Sequence, residues 1–213
     1  DGAIGIEADN MTLGFYQVLK EMFPKIEFVD ISRELMLIRL IKSNEEIEIT
    51  KKCADITIVG AKAFIESLEE NKTEIEVAQK ATSAMEIEHM NLFNELECYG
   101  CWTYCQSGSE RTMYCHGLNT PRKIKKGDLI SLNCGSSING YMGTLERMVV
   151  LGEPDKNVLN YFDITSKAHE LGLKIVKPGI ICGEIDRKIN EIFNDYGLSE
   201  NKYFGSGHSY GIM

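Results

Sequence analysis

The sequence predicts an α+β fold of two related halves, each with two helices followed by strands. The end of an α/β unit precedes them in the chain. Three observations support this: apolar residues recur at helical spacing behind clear N-caps, apolar segments flank a Gly-containing turn, and the order of elements repeats. A weak internal sequence similarity supports the repeat, because the pair Glu74-Ile75 matches the pair Glu184-Ile185. Such a repeat places an active site at the junction of the halves.

The α/β unit is predicted at residues 1–42. It contains a strand at 3–6, a helix near 12–22, a strand at 26–29 and an apolar stretch at 35–41. The chain has no initiator Met and closes inside what looks like a loop, so we expect it to be a piece of a longer polypeptide.

The first half opens on two helices, each preceded by a capping box. Ser43 lies three residues before Glu46, and apolar residues then recur at helical spacing over 45–69. Thr73 and Glu76 repeat the arrangement before a second helix that extends to about residue 90.

The later elements follow from turn and cap signals. In order, they are strands at 101–106 and 129–133, a hairpin turn at 137–140, a return strand near 146–151, and helices at about 157–176 and 183–196. Asp155 can cap the first of these helices, and Gly197 suits a left-handed C-cap after the second.

Charge and composition exclude several partners. The chain has 213 residues, 43% of them hydrophobic, and a net charge of −9 with a pI near 5.1. No basic excess is present to neutralise phosphates, so we expect no nucleic-acid partner, and the short basic run 122–126 is interpreted as a solvated loop. No apolar segment approaches a membrane span and no signal peptide is visible, so we expect no membrane association.

Cysteine usage indicates a reduced, cytoplasmic protein. The count of seven is odd, and Cys98 and Cys101 form the only C-x-x-C, without a second pair at zinc spacing. Cys53, Cys134 and Cys182 lie inside apolar patterns and are predicted to be small buried residues.

Two side chains near the hairpin are candidates for acid–base chemistry. His116 lies in a Gly/Asn/Pro loop, and an imidazole titrates near neutrality. Glu146 ends the hairpin beside Arg147; adjacent strand residues face opposite ways, so only one of the two can enter a pocket. A buried Glu146 would need a cationic partner. The alternatives are a surface histidine without a role and an exposed charge pair.

The other histidines fall into two groups. His208 lies between glycines, which allow close approach of a ligand, although a plain Gly-rich turn is an equal alternative. His89 and His169 fall inside predicted helices and are interpreted as structural. Neither a Gly-x-Ser-x-Gly elbow nor a phosphate-binding Gly-rich loop is present, so a serine nucleophile and nucleotide binding are not supported.

Several ordered motifs carry a family resemblance. They are IGIE, EFVDIS, WTYCQSG, GDLISLN, GY-x-x-x-LER, LGEPD, KPG and FG-x-GHS-x-G. The chain resembles, over nearly its whole length, the pita-bread family of methionine aminopeptidase, Xaa-Pro aminopeptidase, prolidase and creatinase, and most of all its creatinase branch. The resemblance implies a pita-bread fold around a curved antiparallel sheet. It also implies that 1–42 are the remnant of an N-terminal domain and that 43–213 are a C-terminally incomplete catalytic domain.

The resemblance bears on metal binding. Peptidases of this family hold two metal ions with two aspartates, a histidine and two glutamates. The positions of the two aspartates match Asn133 and Thr144 here, and His208 matches the metal histidine. Neutral side chains cannot replace two hard anionic ligands, so we expect neither a metal nor another cofactor.

The creatinase branch is metal-free and implies hydrolysis of creatine to sarcosine and urea. By the resemblance, His116 is the catalytic histidine, Glu146 holds the guanidinium, His208 supports substrate binding, and the protein is a homodimer. The loop 109–115 departs from the creatinase pattern, which leaves the substrate the least specified part. A metal-dependent Xaa-Pro aminopeptidase or dipeptidase and a non-catalytic binding module remain the alternatives.

Overall fold

The computed structural model describes residues 2–93, 100–114 and 116–212. Its first elements are β1 (Gly2–Ile6), α1 (Leu13–Met22), β2 (Ile26–Asp30) and α2 (Ser32–Leu40). β1 and β2 pair in parallel, which confirms the predicted α/β pattern. The sequence did not predict α2 as a helix, because a short run of Leu, Met and Ile suits a strand or a helix equally.

The two long helices of the first half begin where their capping boxes predicted. They are α3 (Asn44–Ser67) and α4 (Glu74–Leu92). At the start of α3 the Glu46 carboxylate accepts the Ser43 backbone N–H at 2.6 Å, and the Ser43 hydroxyl accepts the Glu46 N–H at 3.3 Å. Thr73 and Glu76 form the same reciprocal pair on α4. These bonds satisfy donors that no helix can pair internally at its N-terminus.

An antiparallel sheet of β3 (Trp102–Ser107), β4 (Leu129–Ile138) and β5 (Tyr141–Val150) follows, in that order. Asn139 and Gly140 form the two-residue turn between β4 and β5, both with positive φ (50° and 85°), as a type I′ hairpin requires. The hairpin was predicted, but its strands are longer than expected on both sides of the turn. The added residues include Gly135 on β4 and Gly143 on β5, and glycine is depleted in strands.

Helices α3 and α4 cover one face of this sheet. Ile130, Leu132 and Cys134 of β4 are fully buried on that face. Gly143 of β5 allows the close approach, because a Cβ atom there would lie 2.7 Å from the backbone nitrogen of Ala54 on α3. The alternate residues of β4 therefore occupy the opposite face, away from the helices.

The second half contains α5 (Lys156–Ile175) and α6 (Cys182–Asp195), followed by a 3₁₀ turn, Ser199–Asn201. Asp155 caps α5 through the N–H groups of its first turn, and Gly197 adopts φ +69° after α6, both as predicted. Farther along the described chain, Ile212 forms an isolated antiparallel bridge with Tyr141. The predicted α+β class is confirmed.

Arg122 corrects the interpretation of the basic run as wholly solvated. Its guanidinium bonds both oxygens of Asp128, at 2.6 and 3.0 Å, while Ile124 two residues later is fully buried. The bidentate pair closes the loop that leads into β4. Within the described ranges, no helix is both long and apolar enough to cross a membrane.

Two of the three predictions of buried cysteines are confirmed and the third is wrong. Cys53 and Cys134 are buried as predicted, whereas Cys182 is exposed, because it begins α6 and the first residues of this helix, 182–184, are all exposed. Cys98, one member of the C-x-x-C, lies outside the described residues.

Buried thiols of the sheet should resist alkylation at neutral pH. Burial, and then the charge of Glu74, raises the pKa of Cys105 to about 12, and burial raises the pKa of Cys134 to about 11. Because the thiolate is the reactive form, iodoacetamide should modify Cys182 and spare both sheet cysteines. Peptide mass spectrometry, with a denatured sample as the control in which all three react, measures this. Native labelling of Cys105 or Cys134 as fast as that of Cys182 would contradict the prediction.

Candidate active site

His116 and Glu146 meet on the sheet face that α3 and α4 do not cover. The loop after β3 returns His116 to this face with φ +54°, a left-handed conformation that is uncommon for a residue other than glycine. Its Nε2 lies 3.0 Å from Oε1 of Glu146 on β5. The imidazole also lies 5.9 Å, centroid to centroid, from the ring of Tyr104 on β3.

The register of the sheet aligns the residues around this pair. Tyr104, Asn133 and Glu146 lie opposite one another on β3, β4 and β5, and so share a face. The Asn133 side-chain amide donates to Oε1 of Glu146 at 2.5 Å, the same oxygen that His116 contacts. In the described part of the chain, Oε2 of Glu146 has no hydrogen-bond partner.

Glu146 is exposed, so the case of a buried carboxylate that the sequence left open does not apply. The His116 and Glu146 side chains are 61% and 55% exposed, since β5 is an edge strand and this face carries no helix of the first half. An exposed ion pair contributes little to folding stability. Arg147 lies opposite Leu132 and so belongs to the other face, which leaves Glu146 as the residue of the pair that faces the site.

A cavity of 460 Å³ opens beside Glu146, between the sheet and α5. Ser131, Met148, Phe162 and His169 are among the residues that line it. A volume of this size suits a small ligand. His169, interpreted from its helical position as structural, therefore borders the site, whereas His89 is buried in α4 beside Phe93.

His208 is placed near the site but apart from the His116–Glu146 pair. Its Nδ1 lies 3.1 Å from the Ser209 carbonyl oxygen, and among the described residues it makes no hydrogen bond to His116 or Glu146. Its ring lies 5.0 Å from that of Tyr210. Its supporting role stays a prediction.

Tyr210 connects this segment to the site, and the sequence did not predict it. Its hydroxyl group forms a hydrogen bond with Thr144, which lies one row along the sheet from Glu146. Burial, and then the negative charge of Glu146, raises the pKa of Tyr210. Tyr104 was missed as well; its position two residues after Trp102 on one face of a strand was the available signal.

The side chains at the two aspartate positions do not fit a two-metal centre. Asn133 directs its amide N–H to Glu146, and the hydroxyl of Thr144 is engaged by Tyr210. Neither carries the negative charge that two divalent cations need. Over the ranges that the structure describes, no three His, Cys, Asp or Glu side chains cluster as they would to hold an ion.

Comparison with known proteins identifies the family. Residues 48–213 match Metallopeptidase family M24, and residues 2–41 match the Creatinase/Prolidase N-terminal domain. The chain belongs to metallopeptidase family M24, which confirms the resemblance to the pita-bread enzymes.

Individual relatives include both branches. A creatinase from a Bacillus species is 38% identical over 212 residues, covering 100% of this chain and 51% of the relative. An Xaa-Pro dipeptidase from Pyrococcus furiosus is 30% identical, covering 98% of this chain and 58% of the relative. The solved prolidase from P. furiosus superposes with a TM-score of 0.88 at 28% identity, covering 99% of this chain and 60% of that one. The chain thus spans little more than half the length of these relatives.

Proposed function

We propose that the protein hydrolyses the guanidino C–N bond of creatine, or of a close guanidino compound, without a metal ion. The observation that carries this proposal is the contact of His116 Nε2 with Glu146 Oε1 at 3.0 Å, on a sheet face where the aspartate positions hold Asn133 and Thr144. A carboxylate with an adjacent imidazole suits a cationic substrate. The 38% identity to a creatinase supports the choice of creatine.

Glu146 holds the substrate in this proposal. Its Oε2 has no hydrogen-bond partner among the described residues, so it is open to a guanidinium group, whose parallel N–H donors match the geometry that carboxylates favour. A bidentate hold localises positive charge on the held nitrogens and makes the central carbon a better electrophile. Asn133 keeps the carboxylate oriented through its 2.5 Å bond.

His116 moves the proton. The neutral imidazole takes a proton from water as the water oxygen bonds to the guanidinium carbon, giving a neutral tetrahedral intermediate. The imidazolium then gives that proton to the sarcosine nitrogen, and the C–N bond breaks. The O-protonated urea that remains loses its extra proton to solvent, so the sum is creatine plus water giving sarcosine plus urea. His208, whose ring lies beside that of Tyr210, supports the substrate in this proposal.

Urea release tests the proposal. The native protein that carries this sequence, dialysed exhaustively against a chelator, should release urea and sarcosine from creatine at a rate that added Mn²⁺ does not raise. Glu146→Gln is the matched variant, because it keeps the shape and removes the charge that holds the guanidinium. Absence of urea under these conditions, or full activity of Glu146→Gln, would contradict the proposal.

A second candidate is a metal-dependent Xaa-Pro dipeptidase. It is favoured by the 30% identity to the P. furiosus dipeptidase and the TM-score of 0.88 to the prolidase. It predicts cleavage of an X-Pro dipeptide that chelation abolishes and Mn²⁺ or Co²⁺ restores. Saturable ligand binding without turnover of either substrate would indicate a binding module instead.

A further inference from the structure

The loop that carries His116 is anchored at two carbonyl groups, one on each side of the histidine. The Gln106 side-chain amide donates to the Tyr114 carbonyl at 2.5 Å, two residues before His116. The Arg111 guanidinium donates to the Leu118 carbonyl at 2.7 Å, two residues after it. The backbone is therefore fixed symmetrically around the position where φ is +54°.

Arg111 is itself held by a buried carboxylate. Its Nε donates to Oε1 of Glu74 at 3.0 Å, and Glu74, on the first turn of α4, is 0% exposed. Glu74 also accepts the N–H and hydroxyl of Ser107 at 2.8 and 2.9 Å, and the N–H and hydroxyl of Thr120 at 3.0 and 2.6 Å. One carboxylate thus ties together the end of β3, the middle of the loop and the end of the loop.

The hydrogen bonds of Glu74 and the backbone conformation at His116 are both more than the closing of a surface loop requires. A buried charge persists only where it is paired and hydrogen-bonded, and Glu74 accepts five hydrogen bonds. A left-handed conformation at a non-glycine residue likewise persists only where the surroundings fix it. The two unusual features are joined through Arg111, which contacts Glu74 with one N–H and the backbone beyond His116 with another.

We propose that Glu74 and Arg111 are positioning residues for His116: the buried carboxylate orients the guanidinium, and the guanidinium sets the backbone that aims the imidazole at Glu146. The inference rests on the proposed function for its catalytic consequence, but the placement of the imidazole can be measured without turnover. Neither residue contacts the substrate in this scheme. Their effect should therefore appear in the rate of the chemical step and not in the binding of creatine.

Arg111→Lys is the decisive variant in the native protein. Lysine keeps the charge that pairs with Glu74 but cannot also reach the Leu118 carbonyl with a second fixed donor. We expect kcat for urea release to fall about 10- to 100-fold, as a misplaced catalytic group does, with KM for creatine within about 3-fold. The nuclear Overhauser contact between the His116 and Tyr104 rings should weaken. Gln106→Met, which removes the other anchor, should give the same pattern.

Arg187→Lys is the matched control. Arg187 undergoes the same chemical change and also has an ion pair, with Glu191 on α6, but it holds neither carbonyl beside His116 and no partner of Glu74. The kcat of this variant and its His116–Tyr104 ring contact should stay within about 2-fold of the wild type. Equal losses in Arg187→Lys and Arg111→Lys, or an unchanged His116–Tyr104 contact in Arg111→Lys, would overturn the inference. Full turnover by His116→Ala would instead overturn the proposed function, and the ring contact would still test the positioning.

Discussion

Replacing His116 with alanine is expected to lower kcat for urea release from creatine by about 10²- to 10⁴-fold, the usual contribution of a general acid–base group. The imidazole is the titratable group next to the Glu146 carboxylate, and alanine leaves no group there to take the proton from water. The side chain is 61% exposed, so the fold should not change. Steady-state kinetics together with circular dichroism measure both effects.

Tyr114→Ala is the control for His116→Ala. Tyr114 lies in the same loop, and the residue is 64% exposed. Its anchor to Gln106 is a backbone carbonyl, which the substitution retains. The control should keep its activity. Turnover by His116→Ala within a few-fold of the wild type would remove His116 from the mechanism.

Replacing Glu74 with alanine is expected to destabilise the native state by about 3–5 kcal/mol, the cost of removing one partner of a buried pair. The loss leaves the Arg111 guanidinium unpaired and the Ser107 and Thr120 donors unsatisfied. Denaturant unfolding at neutral pH measures it. Glu86→Ala is the matched control: the same residue type lies later on α4, exposed, and its removal should cost much less.

The Glu74 contribution should disappear in acid. Burial alone raises the pKa of Glu74, but hydrogen bonds from Thr120, Ser107 and Arg111 outweigh it and hold the pKa below its usual range. A carboxyl whose pKa is lower in the folded state stabilises the protein above its unfolded pKa, about 4.3. The stabilisation is lost as pH falls through the folded value. The difference between wild type and Glu74→Ala should shrink below about pH 4, and a difference that grew in acid would contradict the assignment.

Local signals predicted much of the fold. The capping boxes at Ser43 and Thr73 and the turn at Gly140 act over a few residues, so the sequence alone locates them. The ends of β4 and β5 could not be found in this way. Gly143 belongs to a strand because a helix packs against it, and that contact is not encoded near it in the chain.

The site was predictable in part. His116 and Glu146 were singled out by residue type and by family resemblance, while their contact, across 30 positions, depends on the return of a loop. Glu74 gave no such signal, because a glutamate on the first turn of a helix is normally a solvated N-terminal charge. Its partners Arg111 and Thr120 lie far along the chain, and the burial that makes it important exists only after folding.

The two-residue turn at Asn139-Gly140 also determines which side chains of β5 face the candidate active site. Side chains alternate along a strand, so an insertion of one residue at this turn would rotate all of β5 by half a repeat. With the two-residue turn retained, Glu146 would then lie opposite Leu132 and face the helices, and Leu145 would take its place opposite Asn133, leaving no carboxylate there to hold a cationic substrate. Homologous chains that keep this chemistry should therefore change length at this corner only in steps that preserve the parity of the strand.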